Sequence, residues 1–333
     1  MSAEKKKIVK RSKTNSVMEL VASRLGVTPQ ELEREVSGKC KNVLNIAGLD
    51  KAVDLFWSMI DSPVYVYCDY DCDGITSGSI ISIGCNSIGI KPHIIIPRRF
   101  TDGYGIKVKN LENMDPSGLL ITVDNGIAAN EAVDTAKEKG MKVIILDHHE
   151  ARILNGEQFL PEADVVIDPH ITEADFEDYC GAGLAYRFMR EVFAKKRRPA
   201  DLNGIMSSMI ALAAVGTIGD SVTMKAENRF LVRRGMEQIE QRRVSTGLAL
   251  LLEEMELSDT LSVEDIAYSL VPAINAFGRL EDEGSRKVAA LLSYNGRKSD
   301  GAKNAAQIVK QMNDERKTCL LYTSPSPRDV EES

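Results

Sequence analysis

The feature that most constrains the fold is a series of short apolar runs between residues 64 and 167, separated by segments with helical periodicity. The runs cover residues 64–68, 93–96, 119–123, 143–146 and 165–167. Short apolar strands that alternate with helices are typical of repeated βαβ units. The pattern therefore predicts an α/β fold with a parallel β-sheet flanked by helices.

Helical patterns continue on both sides of this region. Residues 17–60 predict a helical N-terminal preface, and residues 1–16, rich in lysine, predict a basic disordered tail. Between the strands we expect helices over residues 77–88 and 128–139, each followed by a glycine. Beyond Gly181 the sequence predicts a helical C-terminal extension, with helices at residues 182–195, 202–215, 227–241, 263–269 and 302–317.

Charge and composition exclude some classes of protein. The formal net charge is −7, which argues against a protein held on nucleic acid by bulk charge alone, although a local basic groove is compatible with it. The apolar stretch at residues 205–219 is shorter than the roughly 20 residues of a membrane span, so we expect no membrane association. Six cysteines without a CxxC pair argue against a zinc ribbon and fit a cytoplasmic location.

Acidic residues follow four of the five predicted strands. The first strand runs into Asp69, Asp71 and Asp73, and the others into Asp124, Asp147 and Asp168; two histidines, His148 and His149, come directly after Asp147. Ligands of open parallel sheets bind outside the carboxyl edge, so we expect these acids and histidines to converge there. Carboxylates this dense need divalent cations to offset their repulsion, and carboxylate and imidazole ligands suit Mn²⁺ or Mg²⁺.

The alternative for any one of these acids is a structural role as the cap of the following helix. For a single aspartate that role is about as expected as a functional one, but four strands with the same feature favour a shared site. Two metal ions bridged by an aspartate would hydrolyse a phosphoester or phosphoanhydride.

Three of these motifs resemble those of the DHH phosphoesterase superfamily: Asp71-Cys72-Asp73-Gly74, Asp124-Asn125-Gly126 and Asp147-His148-His149. Further stretches resemble the RecJ branch, the single-strand-specific 5′ to 3′ exonucleases. They are the arginine and GYG element at residues 97–105, the CGAG run at residues 180–183, and residues 216–220, 227–229 and 274–280. The resemblance covers roughly residues 44–317, and it makes residues 61–298 a DHH catalytic domain.

The resemblance also implies roles for individual residues. It makes Asp71, Asp73, Asp124, His148 and Asp220 the ligands of two Mn²⁺ or Mg²⁺ ions, with Asp124 bridging them. His149 would face the scissile phosphate, and Arg99, Arg279 and Asn275 would bind substrate phosphates. Asp69 and Asp147 would support the ligands from behind.

Three departures from the RecJ pattern are visible. Tyr67 stands where a histidine is usual, four residues before Asp71, which puts one metal position in doubt. Ala273 replaces an arginine before the Ile274-Asn275 pair, which removes one phosphate contact. The family's C-terminal substrate-binding domain does not follow: residues 299–318 resemble the start of the connector helix, and residues 319–333 resemble a non-native, adapter-derived tail.

The resemblance thus implies a metal-dependent 5′ to 3′ exonuclease on single-stranded DNA in repair and recombination. A single-strand-binding protein and a helicase are its expected partners. Two alternatives stay open: a DHH phosphodiesterase on short oligonucleotides or cyclic dinucleotides, and an inactive DHH binding module. From the incomplete connector we expect weak activity and low processivity.

Overall fold

The computed structural model describes residues 16–25, 28–30, 32–33, 44–196, 198–257 and 260–323. Residues 1–15 of the predicted basic tail, which spans residues 1–16, and most of the predicted non-native tail of residues 319–333 lie outside these ranges.

Five parallel strands form the central sheet, in the order β2-β1-β3-β4-β7. A separate antiparallel hairpin pairs β5 with β6. The predicted strands are confirmed, three of them to the residue, and only the hairpin was not predicted. The strands are β1 (Val64–Cys68), β2 (His93–Ile95), β3 (Leu119–Val123), β4 (Lys142–Leu146), β5 (Arg152–Leu154), β6 (Glu157–Phe159) and β7 (Val165–Ile167).

The register of the sheet brings the strand ends together. Cys68 of β1 is paired with Val123 of β3, Val123 with Leu146 of β4, and Leu146 with Ile167 of β7. These four residues are the last of their strands, so the residues that follow them emerge along one edge. After β1 the chain forms β2 on one side of β1, and it then crosses to form β3 on the other side. The first and second acidic segments therefore flank a topological switch point of the sheet.

Helices cover the sheet and continue beyond it, as predicted. They are α1 (Val17–Leu25), α2 (Leu49–Ser58), α3 (Cys72–Ser87), α4 (Asn130–Glu138), α5 (Gly181–Lys195), α6 (Leu202–Gly219), α7 (Ala226–Glu240), α8 (Thr246–Glu254), α9 (Val271–Leu280), α10 (Gly284–Leu292) and α11 (Asp300–Thr323). A short turn of helix, Val263–Asp265, and a π-helical segment, Ile266–Leu270, lead directly into α9. The helix predicted at residues 263–269 therefore extends further than expected.

The start of α3 corrects another prediction. The helix begins at Cys72, five residues before the expected start at residue 77, and Asp71 is its N-cap residue, accepting a hydrogen bond from the Gly74 amide at 3.1 Å. The acidic segment of residues 69–74 is thus extended only as far as Asp71, and the helix begins at the next residue. The capping role that was weighed against a functional one is real for Asp71, since a free carboxylate at an N-terminus satisfies an orphan amide.

The two faces of the sheet pack into different cores. Val64, Val66 and Cys68 face the large core that contains α2, α3, α5 and the helices beyond. Tyr65 and Tyr67, which alternate with them along β1, face a smaller core with Ile106, Leu111 and residues of α4. Alternation of side chains along a strand explains this division.

Helix α6 is long and apolar enough to cross a membrane by length and composition, and 67% of its 18-residue window is buried inside the fold. Residues such as Met209, Leu212 and Val215 are completely buried in the large core. A helix that is apolar on all sides is expected at the centre of a large core. Its burial here is that of a core helix.

Two sets of polar contacts lie within the large core. The Arg187 cluster consists of Arg187, Glu227 and Tyr179, and all three side chains are buried. Arg187 Nη1 donates hydrogen bonds to Glu227 Oε2 at 2.5 Å and to Tyr179 Oη at 3.1 Å, and Nη2 donates to the Leu44 carbonyl at 2.7 Å. The second feature is Trp57 of α2, whose Nε1 donates to the Val192 carbonyl of α5 at 3.2 Å.

Candidate metal centre

The acidic residues after β1 converge with those after β3, as the sequence predicts. Asp69 is 5% exposed, and its Oδ1 atom has no hydrogen-bond partner in the described part of the chain. Carboxylate oxygens of Asp69, Asp71 and Asp124 lie within 4.8 Å of one another. An unpartnered buried carboxylate oxygen is costly, so this arrangement has room for a cation.

Asp73 is oriented by the start of another helix. Its Oδ2 accepts a hydrogen bond from the Gly181 amide at 2.6 Å, and its Oδ1 accepts one from the Ala182 amide at 2.9 Å. A Cβ atom on Gly181 would lie 2.7 Å from the Asp124 Cβ and 2.9 Å from Asp73 Oδ2. The CGAG run therefore allows the N-terminus of α5 to approach both acids, and its dipole favours their negative charge.

Asp124 and His148 form the centre of the site. His148 Nε2 lies 3.0 Å from Asp124 Oδ1 and 3.7 Å from Asp73 Oδ2, and its Nδ1 lies 3.8 Å from Asp220 Oδ2. Asp124 has a φ of 59°, in the left-handed region that aspartate tolerates better than most residues. Burial lowers the pKa of His148, so the ring is neutral at pH 7, the form in which imidazole binds metals.

His149 is held by a charged partner. Its Nδ1 lies 2.7 Å from Asp147 Oδ1, and that hydrogen bond raises the pKa of His149 to about 9. Burial works against the charge of Asp147, but hydrogen bonds from His149 and from the Ile127 and His148 amides lower its pKa below the usual value. The His149 side chain is 42% exposed. It is therefore a cationic ring that faces the solvent side of the cluster.

Most of the other acids in the cluster lack such compensation. Burial, together with the charge of Asp71, raises the pKa of Asp69 to about 7, and burial and Asp73 raise that of Asp220 to about 7. Burial and Asp73 also raise the pKa of Asp71, and the pKa of Asp124 lies well above the usual value. Shifts of this kind arise when carboxylates share a desolvated space without a counter-charge.

Three groups of side chains have atoms of the metal-ligating type within 4.8 Å of one another. They are Asp124, His148 and His149; Asp73, His148 and Asp220; and Asp69, Asp71 and Asp124. Asp124 belongs to two of these groups and so does His148, which makes the groups adjacent. The donors are carboxylate oxygens and imidazole nitrogens, so the residues fit hard divalent ions such as Mn²⁺ or Mg²⁺.

Asp168 departs from the predicted convergence. It is fully buried at the end of β7 and its Oδ1 accepts a hydrogen bond from the His170 amide at 3.0 Å, but it belongs to none of the three groups. Its Oδ1 thus serves the backbone of its own turn, while its Oδ2 has no hydrogen-bond partner among the described residues and burial raises the pKa of Asp168 to about 7. Four strands end in acid, but only three of them supply the cluster.

The predicted phosphate-binding residues lie in two segments. Arg99 stacks its guanidinium 4.8 Å from the centre of the Tyr70 ring, next to the acids. Arg279 is exposed at the C-terminal end of α9, and Asn275 of the same helix has a buried Oδ1 without a hydrogen-bond partner in the described residues. No contact joins Arg279 or Asn275 to the acidic cluster among the residues described.

Two departures from the RecJ pattern have structural counterparts. Ala273 is fully buried in α9, so its side chain belongs to the helical core and not to the surface of the site. Tyr67 is also fully buried, and its hydroxyl donates a hydrogen bond to the Gly105 carbonyl at 3.1 Å. Burial raises the pKa of Tyr67 far above its usual value, so the phenol remains neutral.

Sequence reasoning missed some residues of the site. The amides of Gly181 and Ala182 were not predicted to hold Asp73, although the CGAG run was noted. Asp102 was not singled out either, yet its carboxylate binds Arg98 at 3.0 Å and Lys109 at 2.8 Å. The signal available for Asp102 was an acid within a segment rich in arginine and lysine.

The fold and the site define an α/β protein with a carboxylate- and imidazole-rich centre at the carboxyl edge of a parallel sheet. Residues 63–217 match the DHH family, N-terminal domain. The chain therefore contains a DHH-family domain, and over most of its length it is RecJ-like.

The individual relatives support this assignment. The chain is 33% identical to the single-stranded-DNA-specific exonuclease RecJ of Escherichia coli over 294 residues, which is 83% of this chain and 49% of that protein. It matches a crystal structure of exonuclease RecJ bound to manganese with a TM-score of 0.71 and 28% identity, over 83% of this chain and 68% of the other. It also matches a crystal structure of RecJ from Thermus thermophilus in complex with Mn²⁺, with a TM-score of 0.70 and 25% identity, over 90% of this chain and 44% of the other. The chain spans about half the length of the curated relatives it matches first.

Proposed function

We propose that this chain is the catalytic part of a RecJ-like nuclease that hydrolyses phosphodiester bonds of single-stranded DNA from the 5′ end with Mn²⁺ or Mg²⁺. The observation that carries the proposal is the set of adjoining carboxylate and imidazole groups that share Asp124 and His148. The likeness to RecJ proteins, two of them with manganese in their structures, supports the choice of substrate and metal.

In this proposal Asp71, Asp73, Asp124, His148 and Asp220 would hold the two ions, and Asp124, a member of two adjoining groups, would be a ligand of both. Bound ions of this kind polarise phosphoryl oxygens and activate water for in-line attack. Asp69, whose Oδ1 has no hydrogen-bond partner among the described residues, adjoins this set, with a carboxylate oxygen within 4.8 Å of those of Asp71 and Asp124. Neutral His148 donates an electron pair, and the raised pKa values of the acids fall when cations are present.

His149 and Arg99 have roles that follow from their own contacts. Asp147 holds Nδ1 of His149, which leaves Nε2 to donate a hydrogen bond to a phosphate oxygen; the imidazolium charge stabilises negative charge that develops at phosphorus. Arg99, stacked on Tyr70, presents a planar donor to a neighbouring phosphate. Arg279 and Asn275 would meet the strand further from the acids, on the face of α9.

The wider biological role is part of the same proposal. The RecJ likeness supports a cytoplasmic enzyme of DNA repair and recombination, with a single-strand-binding protein and a helicase as partners. Residues 61–298 form its catalytic domain, residues 17–60 its preface, and residues 299–318 the start of a connector. A net charge of −7 leaves substrate attraction to local arginines, so binding should weaken with salt.

The substitution Asp124→Asn tests this proposal. Asparagine keeps the shape and the left-handed backbone of residue 124 but removes one negative ligand from two groups. We expect turnover on a labelled single-stranded oligonucleotide to fall by about 100-fold or more, with weaker Mn²⁺ binding by calorimetry.

The matched control is Asp168→Asn, because Asp168 is a buried acid at a strand end that belongs to none of the three groups. We expect this variant to keep the wild-type turnover and the wild-type Mn²⁺ affinity. Wild-type turnover and Mn²⁺ affinity in Asp124→Asn would contradict the assignment. Absence of hydrolysis by the wild-type chain with either ion would favour the inactive binding module. Turnover confined to very short oligonucleotides would favour the phosphodiesterase alternative.

A further inference from the structure

We infer that Tyr67 is a positioning residue, whose hydroxyl holds the loop of residues 98–105 in place beside the acidic cluster. The inference rests on the proposed function, because this loop carries Arg99 and Tyr104 to the site. It also gives a role to the position at which this chain departs from the RecJ pattern.

Tyr67 lies on the face of β1 opposite the large core. Its ring is fully buried together with Ile106, which directly follows the loop, and Leu111, which lies further along the same segment. The hydroxyl donates to the Gly105 carbonyl at 3.1 Å and lies 3.5 Å from Asn110 Oδ1. A strand residue therefore holds the end of the loop through one partly buried hydrogen bond.

The loop is folded on itself by Asp102. The Asp102 carboxylate accepts hydrogen bonds from the Arg98 amide at 3.0 Å and from the Arg98 side chain at 3.0 and 3.3 Å. Gly103 and Gly105 have φ angles of 75° and 72°, which side chains rarely adopt. These contacts shape the loop but do not fix it to the sheet.

Besides the ring contacts of Arg99 and Tyr104, two of the described hydrogen bonds tie the folded loop to distant segments of the chain. At its end, Tyr67 binds Gly105. Near its middle, Thr101 Oγ1 donates to Asp282 Oδ2 at 2.5 Å, in the connection between α9 and α10. The Thr101 contact is exposed, whereas the Tyr67 contact is largely buried, so the tyrosine bond competes less with water.

What the loop brings to the site follows from its neighbours. The Tyr104 ring meets the His149 ring edge-on, with centroids 6.0 Å apart. Arg99 lies over the Tyr70 ring, and Phe100, the residue that follows Arg99, is exposed. Since Gly105 is bonded to Tyr104, a shift of the Gly105 carbonyl moves the ring that borders His149. Tyr67 thus acts on substrate through the backbone of residues 104 and 105.

The test is Tyr67→Phe, which removes the hydroxyl and keeps the buried ring. We expect KM for a single-stranded oligonucleotide to rise about fivefold, equivalent to about 1 kcal/mol, the usual worth of one hydrogen bond. We expect kcat and Mn²⁺ affinity by calorimetry to stay within about twofold, because the metal ligands are untouched. Amide hydrogen exchange should become faster over residues 98–110 and remain unchanged in the sheet.

The matched control is Tyr65→Phe, on the same strand and face. The Tyr65 hydroxyl accepts a hydrogen bond from the Asp115 amide at 2.9 Å, outside the loop. We expect this variant to keep the wild-type KM and the wild-type exchange of residues 98–110.

A wild-type KM and wild-type hydrogen exchange of the loop in Tyr67→Phe would overturn the inference. Equal changes of KM and of exchange in Tyr67→Phe and Tyr65→Phe would also overturn it, because they would indicate a general weakening of β1. Loss of kcat and Mn²⁺ binding with an unchanged loop would also overturn it. If the wild-type chain hydrolyses nothing, the proposed function fails, and the exchange comparison still decides whether Tyr67 holds the loop.

Discussion

Two regions of this molecule bury charge, and they do so in opposite ways. In the Arg187 cluster a guanidinium, a carboxylate and a phenol satisfy one another, and Arg187 and Glu227 are 1% and 3% exposed. In the acidic cluster Asp69, Asp71 and Asp124 face one another with raised pKa values. The first region balances its charges within the fold, although Arg187 Nε has no hydrogen-bond partner among the described residues, whereas the carboxylates of the second have no comparable counter-charge. Burial of charge therefore indicates a ligand site only where the charges do not balance.

The largest effect should come from breaking the balanced cluster. Glu227→Gln leaves the Arg187 charge buried without its partner, and we expect the free energy of unfolding to fall by about 3–5 kcal/mol. Urea denaturation followed by circular dichroism measures it. Glu237→Gln, in an exposed pair with Arg234 at 2.8 Å, should change stability by less than about 1 kcal/mol. Equal effects of the two substitutions would contradict the distinction.

Asp147 is a balanced acid inside the unbalanced region, and its neutralisation should have an intermediate effect. Asp147→Asn weakens hydrogen bonds from three backbone amides and from the His149 ring, so we expect a loss of about 2 kcal/mol in unfolding free energy. It also removes the charge that raises the pKa of His149 to about 9. Titration of the His149 ring by NMR should then give a lower pKa; an unchanged value would show that Asp147 does not set it.

The smallest effect concerns pH in the absence of metal. The pKa values of Asp69 and Asp220 are raised to about 7 by burial, so the folded chain binds protons at pH 6 that the unfolded chain has released. Stability without metal should therefore decrease as the pH rises through 7, with a drop of a few degrees in Tm between pH 6 and 8. Saturating Mn²⁺ should abolish the drop. A Tm that rises over this range would contradict the assignment of these shifts.

The sequence was most informative where local pattern determines structure. The apolar runs defined the sheet because buried parallel strands read as continuous apolar stretches. The strand-end acids then located the site, because register places consecutive strand ends together. The hairpin of β5 and β6 was missed, although Asn155-Gly156, with φ angles of 54° and 88°, is a strong signal for a two-residue turn.

Contacts between distant segments were not predictable in the same way. That Gly181 holds Asp73 and that Tyr67 binds Gly105 depends on how helices and loops pack, which no spacing of residues encodes. The early start of α3 was missed for a related reason: Asp71 was weighed as a ligand or as a cap, and it is placed for both.

The hydrogen bond from Trp57 to Val192 has a practical consequence. The chain has one tryptophan, and its indole is buried between α2 and α5, with the Phe56 ring at 5.8 Å and no contact to the acids among the described residues. Its fluorescence therefore reports on the packing of α2 against α5 and should not respond to metal binding at the edge of the sheet. We expect the emission spectrum to stay constant over the Mn²⁺ concentrations at which calorimetry records binding. Fluorescence would then measure the folding of the helical core separately from the binding of metal at the acidic cluster.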